Sequence, residues 1–158
     1  MRWPFVLTVA LALALMLALA RVPASAGPRP SPIAFSKVQV RMPPATTKGF
    51  VAVAEVSFTA TLREPLEPRF VLGGTIKCVD TQRELNISLG NLARVDELRL
   101  GKPFPVRQAG PDPATPVARN ASCRLRLRLE DTKWTDEPHI DLVDFCFKAG
   151  ASKTRVCP

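Results

Sequence analysis

Residues 122–130 read Ser-Cys-Arg-Leu-Arg-Leu-Arg-Leu-Glu, and this unbroken alternation constrains the fold more than any other stretch of the chain. Successive side chains of a strand point to opposite faces, so Cys123, Leu125, Leu127 and Leu129 share one face while Arg124, Arg126, Arg128 and Glu130 share the other. A helix would scatter the same leucines around its axis. The segment is therefore a half-buried strand with a cysteine on its core side.

The same period recurs along the chain. Ile33–Arg41 changes its apolar parity from Ile33 and Phe35 to Val38 and Val40, which predicts a bulge or a change of sheet near Ser36-Lys37. Residues 49–62 form a second strand with Val56, Phe58, Ala60 and Leu62 inward, and residues 69–79 a third with Phe70, Leu72, Ile76 and Cys78 inward. Gly73-Gly74 marks a bulge or a close backbone approach within it. Leu85, Ile87 and Leu89 define a short strand, and residues 95–100 a further strand or, as the competing reading, part of a helical turn over 91–99. Phe104 to Val106 is a short extended piece. Residues 108–119, with Gly110, Pro111, Pro113 and Pro116 and no apolar period, are expected to form a long exposed loop. The last long strand, residues 139–148, turns Val143, Phe145 and Phe147 one way and Asp144, Cys146 and Lys148 the other.

These parities sort the cysteines. Cys78 and Cys123 are in register with core residues and are expected to join as a buried bridge between two sheets; Cys146 points away from the core and pairs with Cys157 across a hairpin. Placing Cys146 opposite Cys157 sets Phe147 opposite Val156 and Lys148 opposite Arg155, with the turn at Gly150 to Lys153. The whole pattern describes an all-β chain, an antiparallel two-sheet β-sandwich of immunoglobulin-like architecture with two disulfides; a small β-barrel is the alternative.

The first residues have the parts of a secretory signal: Arg2, an apolar run from Pro4 to Ala20, and Ala24-Ser25-Ala26 as the processing site. The expected organisation is a signal peptide over 1–26 and one β-sandwich domain over 27–158, secreted or periplasmic, with no transmembrane anchor after cleavage. Four cysteines in an exported chain fit an oxidising compartment. The full sequence carries a net charge of +8, and loss of Arg2 and Arg21 with the leader leaves 20 basic against 14 acidic residues, or +6.

Catalysis has few candidate groups. The chain has one histidine, His139, no tyrosine, and cysteines assigned to disulfides. Asp131, Glu130, Asp141 and Asp144 read as solvated strand and turn carboxylates. No cysteine or histidine spacing fits a metal, and no cofactor is expected. A non-enzymatic interaction module follows, with an extracellular or periplasmic protein or a polyanion as partner. Its basic face would comprise Arg119, Arg124, Arg126 and Arg128, and a second site would comprise Lys148, Lys153 and Arg155 on the Cys146–Cys157 loop. The opposing reading of the arginine row is a solvated face offset by Asp141 and Asp144 of a neighbouring strand. Nucleic acid is not expected, because export separates the chain from it and no aromatic residues interleave the arginines. Two other functions are open: a small lipid or hydrophobic-ligand carrier with a cavity lined by Phe58, Phe70, Leu125, Leu127, Phe145 and Phe147, and a protease inhibitor using the disulfide-bounded loop. Asn86 and Asn120 begin N-glycosylation sequons that matter if the source is eukaryotic.

Overall fold

In the computed structural model the described residues are 30–80, 84–110, 116–133, 139–151 and 153–158. The leader and its cleavage site lie outside them. Ten strands are formed: β1 (Ile33–Arg41), β2 (Phe50–Ala52), β3 (Glu55–Leu62), β4 (Phe70–Val79), β5 (Glu84–Arg94), β6 (Pro103–Ala109), β7 (Pro116–Ala118), β8 (Ser122–Asp131), β9 (His139–Lys148) and β10 (Arg155–Val156). They make a three-stranded sheet in the order β1-β3-β6, a five-stranded sheet in the order β10-β9-β8-β4-β5, and a small β2-β7 ribbon. Every pairing between these strands is antiparallel, the arrangement is sandwich-like, and the sheets do not close into a barrel.

The alternating strand at 122–130 becomes β8, the middle of the larger sheet. Its inward residues Cys123, Leu125, Leu127 and Leu129 are at most 4% exposed. They share one core with Ile33, Val56, Phe58, Ala60, Leu62 and Val106 of the smaller sheet and with Leu72, Ile76, Phe145 and Phe147 of the larger. No polar or charged side chain among the described residues is buried in it. The alternation works because each strand has one dry face and one wet face, so burial and solvation both follow the pleat.

Several irregularities were legible in the parity breaks. The bulge in β1 is present, with the register shifting between Ser36 and Gln39 and Lys37 adopting φ +54°. That one extra residue turns the inward set from Ile33 to Val40. Shifts also flank Gly73-Gly74, and a Cβ on Gly73 would run into the Glu130 carboxylate of β8.

Other expectations need correction. The strand expected over 49–62 is broken into β2 and β3, because Val51 and Val53 are buried on one parity and Val56 and Phe58 on the other. The loop expected over 108–119 includes the end of β6 and all of β7, whose Val117 pairs with Val51 and is buried; residues 111–115 lie outside the described residues. In place of a strand over 95–100, β5 runs to Arg94 and a 3-10 turn follows over Val95–Glu97, three residues of the helical alternative.

Both disulfide pairings are as expected, but their settings differ. Cys78 and Cys123 are direct cross-strand partners on β4 and β8, with Cα atoms 4.1 Å apart, so this bridge lies within the larger sheet and does not join the two sheets. Cys146 and Cys157 are joined diagonally: Arg155 is opposite Cys146, and the Cys157 N–H donates to the Asp144 carbonyl at 2.9 Å. The hairpin is therefore two residues out of the expected register. Val156 faces Phe145 instead of Phe147, and at the sheet edge it stays 62% exposed. The two Cα atoms are nevertheless 5.1 Å apart, within reach of the bond from this diagonal position, so the cysteine pair alone did not set the register. The bridges also fit the oxidising, extracellular-type setting that paired cysteines imply.

Candidate functional site

The pleat sends Arg124, Arg126 and Arg128 to the outer face of the larger sheet, and β9 lies beside them in the register that brings Asp144 opposite Arg126 and Asp141 opposite Arg128. Arg126 donates to both Asp144 carboxylate oxygens at 3.0 Å, and Arg124 reaches the same group at 3.1 Å. Asp141 lies 3.3 Å from Arg126, and Arg128 pairs with Glu130 at 2.7 Å across the bare backbone of Gly73. The hydrogen bond to Asp144, reinforced by its charge, holds the Arg126 guanidinium pKa above its ordinary value. Each arginine of the row is thus matched by a carboxylate. The neighbouring strand supplies the offset that the opposing reading required.

Arg119 does not join this row. It sits exposed in the β7–β8 turn, where its backbone N–H donates to the Gly49 carbonyl. Lys77 of β4 takes a place that sequence reasoning missed, directly opposite Arg124. The disulfide alone did not reveal it; it follows only because Cys78 and Cys123 are direct cross-strand partners, which places Lys77 opposite Arg124. Like charges directly across a sheet repel, and each has one carboxylate to limit the cost, Glu84 at 2.7 Å from Lys77 and Asp144 beside Arg124. The hydrogen bond from Lys77 lowers the Glu84 pKa, with Asn86 adding to it.

The loop cations converge. Lys148, Lys153 and Arg155 line a hollow of about 580 Å³ together with Ser122, Cys146 and Thr154. Lys148 donates to the Ser122 hydroxyl at 2.6 Å. Among the described residues none of the three makes an ion pair. A second hollow, about 550 Å³, spreads over Lys77, Arg124, Arg126 and Arg128 and shares Ser122 and Cys146 with the first. Among the described residues no carboxylate lines either one. Two groups nominated separately from the sequence are therefore the two sides of one surface, and the Cys146–Cys157 bridge sits at their junction.

The remaining candidates fall elsewhere. Phe58, Leu125, Leu127, Phe145 and Phe147 are packed in the core, with Phe70 partly buried against it. His139 begins β9 opposite Glu130 and is exposed. All four cysteines are oxidised, so no thiolate is available. Asn86 is exposed on the edge strand β5, and Asn120 occupies a turn at φ +71°, a conformation asparagine tolerates. No group of three or more metal-ligating side chains occurs among the described residues, and no helix among them is long and apolar enough to cross a membrane. No family model, curated protein or solved structure matches the chain, so what it does has to be argued from this surface.

Proposed function

We propose that this protein is an exported, non-enzymatic binding module that takes a polyanionic ligand on the outer face of its larger sheet. The observation that carries the reading is the pair of adjoining hollows lined by Lys77, Arg124, Lys148, Lys153 and Arg155 with no carboxylate among their lining residues. Sulfate or phosphate groups of a ligand would relieve the repulsion between Lys77 and Arg124 and accept hydrogen bonds from Lys148, Lys153 and Arg155, which make no ion pair among the described residues. The strand order supports an immunoglobulin-like frame for the module. In the lettering of that architecture β1, β3 and β6 correspond to A, B and E, and β9, β8, β4 and β5 to G, F, C and C′. The buried bridge departs from the antibody pattern, since it joins C to F within a sheet.

The test is titration with heparin, a linear polysulfated chain, at several salt concentrations. Affinity is expected to fall steeply with salt, and Lys148→Ala, Lys153→Ala and Arg155→Ala combined are expected to weaken binding by roughly 100-fold while leaving the folded spectrum unchanged. Wild-type binding that is absent or indifferent to salt, or a triple variant that binds as before, would overturn the proposal.

A further inference from the structure

The basic surface does not stop at β10. Thr154 Oγ1 donates to the Val38 carbonyl at 2.7 Å, which ties the segment after the β9 turn to the bulge of β1, beside Lys37. Ala151 lines the hollow of Lys148, Lys153 and Arg155, and it also lines a third hollow, about 400 Å³, whose wall includes Arg41 of β1. Beneath the same turn, Arg119 packs beside Gly150, and its N–H donates to the carbonyl of Gly49, the residue after Lys48. Gly150 itself has φ +83°, a left-handed conformation that glycine adopts without strain. Lys37, Arg41, Lys48 and Arg119 make no ion pair among the described residues. The carboxylate in that third hollow, Glu55, is held by Arg107 at 2.6 Å.

Building on the proposed function, we infer that Lys37, Arg41, Lys48 and Arg119 form a second half of the binding site, so that the ligand is a long, linear, sulfate-bearing polysaccharide wrapped around the β10–β1 edge. Three hollows joined through Cys146 and Ala151 make a continuous track. Strand and sheet spacings put its length at roughly 25 Å from Lys77 to Arg41. A flat anionic surface would meet only the crest of such a curved band, whereas a flexible chain can follow it. Among the described residues the track offers no exposed aromatic platform: Phe147, the one aromatic residue among those that line it, is buried in the core. Bases of a single-stranded nucleic acid would therefore find nothing to stack on.

The experiment compares short and long heparin fractions on wild type and on the combined variant Lys37→Asn, Arg41→Ser, Lys48→Ser and Arg119→Ser. Asparagine at 37 keeps a residue that accepts the positive φ. The long fraction is expected to bind the variant about 10- to 100-fold more weakly, with a salt slope smaller by roughly 2, while the short fraction binds both proteins alike. Ala151→Glu, a single exposed change at the junction, serves as the second variant and is expected to weaken the long fraction several-fold. Unchanged binding of the long fraction by both variants would overturn the second half-site and leave the first intact. If wild type fails to bind the short fraction as well, the fault lies with the proposed function itself. Equal binding of single-stranded DNA, with the same dependence on these residues, would overturn the polysaccharide assignment.

Discussion

The β8 arginine row and the cations around the β9–β10 turn have similar charge and opposite surroundings. Arg124, Arg126 and Arg128 lie in the middle of a five-stranded sheet, where β9 brings Asp141 and Asp144 alongside and Glu130 follows on the same strand face. Lys148, Lys153 and Arg155 lie at its edge, where the last strand is two residues long and brings no carboxylate. Position in the sheet decides which cations are already satisfied. A central strand has two neighbours to supply counter-charges, and an edge strand has one. The comparison teaches that an eye-catching run of arginines can be a structural ladder, while less conspicuous residues beside it remain available to a ligand.

The comparison can be broken most directly by neutralising one group at a time. The edge triple variant is expected to lose roughly 100-fold in heparin affinity, against less than about 10-fold for Arg124→Gln, Arg126→Gln and Arg128→Gln combined, as measured by calorimetric titration. The ladder variant should instead be the less stable of the two, because it leaves Asp141, Asp144 and Glu130 crowded without partners. Equal losses of affinity would erase the distinction.

Opening the bridge tests how the edge cluster is held. Cys146→Ser with Cys157→Ser removes the constraint on an 11-residue separation and is expected to cost about 2–3 kcal/mol in denaturant unfolding. Heparin affinity should fall several-fold as Arg155 loses its place, while amide exchange along β4 and β8 stays slow. A loss of protection throughout the larger sheet would mean that the hairpin supports the ladder as well.

Asp144→Asn has the opposite expected sign on the two properties. Removing the carboxylate shared by Arg124 and Arg126 should lower stability by about 1 kcal/mol, since the pair is only partly screened, with Asp144 20% exposed. It should also raise heparin affinity a few-fold by freeing both guanidinium groups. Unchanged affinity would show that the ladder face takes no part in binding. The smallest effect is expected at Glu84, whose pKa is lowered by Lys77. A carboxylate depressed in the folded state contributes above its unfolded pKa, and the contribution disappears as pH falls through the folded value. A carbon-detected NMR titration should therefore place Glu84 below an unpaired glutamate, and Lys77→Ala should move it back toward the ordinary range, with the Asn86 hydrogen bond still lowering it.

Much of this was written in local pattern. The alternation at 122–130 and at 139–148 identified β8 and β9, and the parity change after Phe35 located the β1 bulge, because burial on a pleated strand has a period of two. Residues 108–119 misled because a three-residue strand is too short to show a period; Val117 was the one large aliphatic residue of that stretch. The hairpin register misled because cysteine reach is compatible with direct and diagonal pairing. Arg41 carried no signal in sequence, since it is far from Gly150 along the chain and shares a hollow with it only in the folded structure.

The sequence by itself determined the all-β class, the inward face of each long strand and both disulfide partners, since each follows from short-range alternation. Only the tertiary structure decided that the Cys78–Cys123 bridge lies within one sheet, that aspartates of β9 neutralise the arginine row, and that Arg41 of β1 and Arg119 of the β7–β8 turn come to lie beside the β9–β10 turn. Those outcomes depend on which strands become neighbours. Neighbours are chosen by how the whole core is filled, and the charge on one strand has no influence on what lies opposite it until that choice is made.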